Sequence, residues 1–249
     1  MFDIGFLLRT FLLLWKAVPV TLLITAVSLF CGGLLGFFIA LARIHKVKVL
    51  HGICSVYVSF IRGTPIVLQI LAVYSLVPSA LNAFFKNIGS SIDVFSLNPI
   101  IYAFVVFSLS EAAVLSEVFR SALLTVNRGQ LEAGYTSGLT YAQTFRRIII
   151  PQALTAALPN LCTATVNLIK NTSLAFMMTV RDITAVAKIE ASYGYNYIES
   201  YIDIFVIYII ICSVVQLLFR RWEKHASAFK TRSDSSSALS RIPAGGKNA

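Results

Sequence analysis

The residues able to do chemistry in this chain are charges and amides set inside apolar runs. Arg62 stands in one such run and is followed directly by Gly63, Thr64 and Pro65. A guanidinium ~14 Å into a membrane span costs on the order of 2.5–3.5 kcal/mol on insertion scales, so it needs a partner or a wet cavity. Pro65 removes a backbone donor and frees the carbonyl of Ile61, while Gly63 and Thr64 loosen the same turn. A broken helix beside a cation is a ligand site for a carboxylate; a kink with an inter-helix salt bridge would leave the same trace. Glu111, about a dozen residues after Pro99, is a second costly charge near mid-bilayer. Either it pairs with Arg62 in a neutral interior, or the two face one cavity and read the opposite ends of a zwitterion.

Further on, Asn160, Thr163, Asn167 and Asn171 recur at spacings of three and four, which lays a polar stripe along one helical face with Lys170 beside it. Those amides would line a substrate path or hydrogen-bond one helix to another. Glu117 and Arg120 read as a local pair one turn apart. Other chemistries have no support in the sequence. Cys31, Cys54, Cys162 and Cys212 lie far apart without metal-ligand spacing, so no metal site is expected. No G-x-x-x-x-G-K-[ST] phosphate loop occurs, and Gly245-Gly246-Lys247 lacks its spacing.

The elements that must hold these residues are membrane spans. With 57% hydrophobic residues and a mean hydropathy of +0.78, the chain carries more apolar surface than a soluble core of its length hides. Apolar segments of the required roughly 20 residues fall near 17–42, 53–78, 99–123, 157–178 and 202–219. The first is too long for a cleaved signal peptide and is expected to stay as a helix. The net charge of +10 is not a nucleic-acid signal, because the cations cluster at span ends and in the tail. Arg43, Lys46 and Lys48, then Arg128, Arg146 and Arg147, then Arg220, Arg221, Lys224 and Lys230 occupy alternate links, which predicts an outside N-terminus and a cytoplasmic C-terminus. Residues 1–16 are expected to lie along the bilayer surface, 17–222 to form the transmembrane domain, and 223–249, rich in Ser, Ala, Gly and Lys, to be disordered. Tyr193, Tyr195, Tyr197 and Tyr201 suit the membrane interface. No internal repeat is visible, so two-fold symmetry would come from pairing two chains.

Between the third and fourth spans lies Glu132-Ala133-Gly134-Tyr135-Thr136-Ser137-Gly138, followed by Phe145-Arg146-Arg147 and Pro151-Gln152-Ala153-Leu154. The Glu-Ala-Gly, the glycine four residues on and the downstream proline resemble the EAA loop of permease subunits in ATP-binding-cassette importers. Phe60-Ile61-Arg62-Gly63-Thr64-Pro65, Glu117-Val118-Phe119-Arg120 leading to Arg128-Gly129-Gln130, and Asn167-Leu168-Ile169-Lys170-Asn171-Thr172-Ser173-Leu174 resemble the branch handling polar amino acids (histidine, glutamine, arginine and cystine types).

The resemblance implies an all-α integral membrane fold, the five-helix core of a type I importer permease in the bacterial cytoplasmic membrane, with a cytoplasmic coupling loop at about 128–150. It implies no enzyme activity and no cofactor on this chain, ATP and Mg being held by a partner ATPase. The implied partners are a second permease, identical or different, two cytoplasmic ATP-binding subunits and an extracellular or periplasmic solute-binding protein. Glu132, Ala133, Gly134 and Gly138 would seat in the ATPase groove, small residues allowing close approach. Arg62, Thr64 and the backbone freed at Gly63 and Pro65 would hold the α-carboxylate, Glu111 the α-amino group, and Asn167 and Asn171 the remainder. Family members that carry cationic amino acids tend to place acids where this chain has Ala164 and Asn171, which favours a neutral polar cargo, with cystine or another sulfur amino acid expected. The rival reading is an ion-gradient-driven secondary transporter or channel subunit.

Overall fold

The computed structural model describes residues 2–89 and 92–239, without the side chains of residue 128 and of 227–239. Among the described residues every regular element is helical. Ten α-helices follow in order: α1 Ile4–Leu14, α2 Val18–Ile44, α3 Leu50–Gly63, α4 Ile66–Asn87, α5 Ile100–Thr125, α6 Arg128–Thr136, α7 Tyr141–Thr144, α8 Ile150–Thr172, α9 Ile183–Gly194 and α10 Tyr197–Leu239. Five helical stretches are long and apolar enough to cross a membrane: Val18–Ile44, Ile66–Asn87, Ile100–Thr125, Tyr141–Thr172 and Tyr197–Ala226.

Helices α2 and α5 form the central seam, and residue size explains it. A Cβ added to Gly32 would stand 2.9 Å from the Ser108 carbonyl and 2.9 Å from Glu111 Cβ; one on Gly36 would stand 2.9 Å from the Ala112 carbonyl. Facing Gly32 and Gly36, Ser108, Ala112 and Ser116 repeat every four residues, so small faces small and the backbones approach closely. Outside the seam, Ile24, Ile70, Phe107, Leu168 and Met178 pack into one apolar cluster, and Leu14, Ile169, Ile183 and Ile207 into a second.

Three expected boundaries are corrected. The second crossing is not one helix over 53–78 but α3 and α4, parted at Thr64 and Pro65, because proline cannot donate to the preceding turn. Tyr57 of α3 donates its hydroxyl to the carbonyl of Leu109, 2.5 Å away in the interior of α5, which ties α3 to that span. The fourth crossing starts at Tyr141 rather than 157, since α7 runs through a π turn, Phe145–Ile149, into α8. The Ile150 N–H donates to the Phe145 carbonyl, five residues back, just ahead of Pro151. This crossing ends at Thr172, not 178, where the Thr172 and Ser173 hydroxyls donate to the carbonyls of Ile169 and Lys170.

At the chain ends, α1 packs against α9 and α10. Asp3 caps it through the Phe6 N–H (2.9 Å), and its own N–H donates to Glu199 (2.8 Å). The tail read from sequence as disordered from 223 continues α10 to Leu239, no Gly or Pro interrupting that stretch. The remainder of that expectation falls on 240–249, outside the described residues.

Candidate functional site

The break between α3 and α4 is a built structure. Thr64 turns to an extended conformation (φ −108°, ψ 138°) and donates its hydroxyl to the Phe60 carbonyl at 2.9 Å. The Ile61 carbonyl, expected to be free for a ligand, is taken: Gln69 Nε2 donates to it at 2.8 Å, and reaches Thr64 O at 3.1 Å and Thr64 Oγ1 at 3.0 Å. Gln69 lies one turn into α4, within reach of the gap that Pro65 opens. The start of α4 has no side-chain cap, and its third and fourth N–H groups, Leu68 and Gln69, both turn to the Pro65 carbonyl. The N–H groups of Ile66 and Val67 are the orphan donors of a helix start. Arg62, Gly63 and Pro65 beside them are exposed. Cation, orphan donors and the positive end of a helix dipole thus share one place, which suits an anionic group.

Glu111 is elsewhere. It is 5% exposed, its β-carbon lies against Gly32, and one carboxyl oxygen is buried without a hydrogen-bond partner. Among the described residues no ion pair or hydrogen bond joins Glu111 to Arg62, so the two do not form the neutral pair within one chain. The reason is the close seam: small residues on α2 leave the Glu111 stem packed between the helices. Closer to the chain's positive end of the span, Glu117 bonds Arg120 as expected (Nη2 to Oε2, 2.8 Å) and also Arg43 at the end of α2.

On α8 the stripe faces outward. Asn160, Thr163, Asn167 and Lys170 are exposed and Asn171 is half-buried, while Ala164, Thr165, Leu168 and Ile169 turn to the core. Among the described residues the amides of Asn160, Asn167 and Asn171 form no hydrogen bond within the chain, so they do not bind this chain's helices together. Three amides on the open face of a span are costly against lipid, which means that a second protein surface or a wet path covers this face.

In the small-residue loop, α6 leaves Glu132 and Ala133 exposed and Tyr135 48% exposed. The two glycines have internal reasons. A Cβ on Gly134 would meet Thr144 Cγ2 at 2.4 Å, so this glycine lets α6 close on α7. Gly138 has φ +78°, and the Leu139 N–H donates to Gly134 O (3.0 Å) and the Gly138 N–H to Tyr135 O (2.9 Å), the pattern of a helix end closed by a left-handed residue. Thr140 and Gln143 then form a reciprocal cap for α7. The glycines therefore shape a helix that leaves Glu132, Ala133 and Tyr135 exposed.

Sequence reading passed over several residues. Gln69 carries no signal by itself; a long amide one turn after a proline break is the pattern to look for. Gly32 and Gly36 were legible as a small-residue pair four apart. Asp182, fully buried, caps α9 through the Ala185 N–H (2.8 Å), and burial pushes its carboxyl up to about 6.

A five-span chain with a broken second crossing, an outward polar face and a presented small-residue helix has the build of a transport permease. Residues 32–227 match the family described as binding-protein-dependent transport system inner membrane component, and the chain belongs to it. It is 36% identical over 86% of its length, and 87% of the relative's, to the L-cystine transport system permease protein TcyL of Bacillus subtilis. It is 36% identical over 90% of its length, and 93% of the relative's, to the probable amino-acid ABC transporter permease protein YckA of the same organism. Among solved structures it resembles the crystal structure of an amino acid ABC transporter with histidines, at 28% identity and a TM-score of 0.68, covering 86% of this chain and 98% of that one. The chain is accordingly a multi-pass membrane protein, a permease subunit of an amino-acid ABC importer and not a catalytic subunit, as read from the sequence motifs.

Proposed function

We propose that this subunit passes a neutral polar amino acid, cystine or another sulfur amino acid, from an external solute-binding protein through a path lined by the α3–α4 break and the polar face of α8. The single observation carrying this reading is the break itself: exposed Arg62 at the end of α3, next to the uncapped start of α4. The α-carboxylate meets Arg62 and the orphan N–H groups of α4, the expected Thr64 hydroxyl contact being given up because that hydroxyl donates to the Phe60 carbonyl; Asn167 and Asn171 meet the side chain. Absence of an acid at Asn171 leaves a cationic cargo without a counter-charge on this face, Ala164 being turned to the core. The similarity to an L-cystine permease favours the sulfur cargo. Glu111 is withdrawn from the α-amino contact, because the seam buries it.

In this reading two permeases, identical or different, meet across the α8 face, and two ATP-binding subunits, which hold ATP and Mg, grip α6 through Glu132 and Ala133. Closure of the ATPases rocks the crossings outward-open and hydrolysis returns them. The N-terminus lies outside and the C-terminus in the cytoplasm, which puts α6 on the ATPase side.

Reconstitution of the permease with its ATPase and binding-protein partners in proteoliposomes tests this. Amino-acid uptake that requires internal ATP, and that stops when 132–138 is replaced by a flexible linker, is the expected result. Uptake driven by an ion gradient without ATP would establish the secondary-transporter reading instead.

A further inference from the structure

The break sets backbone acceptors beside a cation, and one side chain engages several of them. Ending α3 at Gly63 strips its last carbonyls of their helical partners, and these carry the negative end of that helix's dipole. Left open beside Arg62, they would draw the guanidinium onto themselves or accept from a ligand's N–H groups. Instead Ile61 O, Thr64 O and Thr64 Oγ1 converge on Gln69 Nε2 at 2.8, 3.1 and 3.0 Å, and the Thr64 hydroxyl in turn covers Phe60 O at 2.9 Å. Two of the three are carbonyl oxygens, which can only accept, so the amide must present its NH2 edge here. Gln69 is half-buried, whereas Arg62, Gly63 and Pro65 are exposed. The acceptors are engaged by Gln69 while the cation and the N–H groups of Ile66 and Val67 have no partner among the described residues.

We propose that Gln69 is a positioning residue that sets the charge preference of the break, occupying its oxygens so that the open side selects a carboxylate over an uncharged amide. The proposal rests on the reading of the break as the carboxylate subsite, and deepens it. Gln69 need not touch the substrate; it acts through Ile61, Thr64 and the angle at which α4 leaves the turn. Replacement by Leu removes the clasp and returns Ile61 O and Thr64 O to the site. Replacement by Glu keeps the shape but sets an acceptor-only carboxylate against the two carbonyl oxygens of Ile61 and Thr64, which repels them and adds negative charge beside a subsite meant for an anion.

The test uses the purified permease–ATPase complex without its binding protein, so that discrimination by the latter does not enter. Binding of L-cystine, L-methionine and L-glutamine is measured by thermophoresis, and each amino acid that binds is compared with its C-terminal amide. A charge-assisted contact contributes ~1.5–3 kcal/mol, so the wild-type complex is expected to prefer the free acid by ~10–100-fold. In Gln69→Leu that ratio falls to within about threefold, mainly because the amide binds better, an effect that mere loosening of the helix does not produce. In Gln69→Glu the free acid itself weakens by at least about tenfold, while the amide is affected less. Variants that bind the free acid with the wild-type preference overturn the role of Gln69 alone. A wild-type complex that binds all three acids no better than their amides, or binds none, overturns the carboxylate subsite and this proposal with it.

Discussion

Glu111 lies 5% exposed against Gly32 in the α2–α5 seam, whereas Arg62, at the end of α3, is open to whatever adjoins the chain. Both are charges inside apolar runs, and hydropathy alone treats them alike. The difference is what surrounds them. At the seam, small residues bring two backbones together and the carboxyl is enclosed by packing; at the break, a proline opens the backbone and Gln69 satisfies part of it, leaving the cation free. Packing encloses the first charge, while the second is exposed beside orphan donors, which is what the proposed carboxylate subsite rests on. The exposed amides of the α8 face are a second open region of this kind.

The comparison breaks most readily at the seam. Gly36→Leu sets a Cβ 2.9 Å from the Ala112 carbonyl and 3.0 Å from the Ser116 N–H, and neither backbone atom can swing aside. Overpacking costs ~1–3 kcal/mol and more against backbone, so the variant is expected to lose its monodisperse size-exclusion peak; a normal peak would show that the seam is loose. Gly134→Val drives a Cβ to 2.4 Å from Thr144 Cγ2 and should tilt α6 off α7. The protein still purifies, but ATP-dependent uptake falls ~10-fold or more, and Thr144→Ala partly restores it in a Gly134→Ala background. Arg43→Ala removes one of two cations from Glu117, leaving Arg120, and lowers thermal stability by only about 1 kcal/mol.

Asp182 sharpens the comparison by pH. Its carboxyl is raised from 3.8 to about 6 because burial disfavours the charged form. The folded state therefore binds the proton more tightly: the stabilisation is full below about 3.8 and is lost as pH rises through about 6, by up to roughly 3 kcal/mol. Asp182→Asn keeps an oxygen for the Ala185 N–H and should flatten the fall in melting temperature between those pH values. An unchanged slope would assign it to other groups.

Much of this was legible beforehand, for reasons visible in single residues. Span number follows from apolar length, and the break at Thr64–Pro65 from the proline. The outward α8 stripe is a periodicity, which survives folding because nothing within the chain competes for it. Helix ends were less legible: the start of the fourth crossing at Tyr141 depends on a π turn that absorbs Pro151, and its stop at Thr172 on hydroxyls turning to their own backbone. The fate of Glu111 was illegible from its own span, being decided by glycines some eighty residues earlier. The Gln69 clasp needs three groups in one place, and only coordinates supply that.

The central claim is that the break, and not the buried carboxylate of the seam, handles the substrate. Initial rates of ATP-dependent amino-acid uptake by Arg62→Ala and Glu111→Gln complexes, reconstituted side by side at matched protein, test it most directly. The expected result is background uptake for Arg62→Ala, with the complex still assembled, and a rate within about twofold of wild type for Glu111→Gln, because a neutral amide fills the same buried place. Full transport by Arg62→Ala together with loss in Glu111→Gln would reverse the two roles and contradict the account.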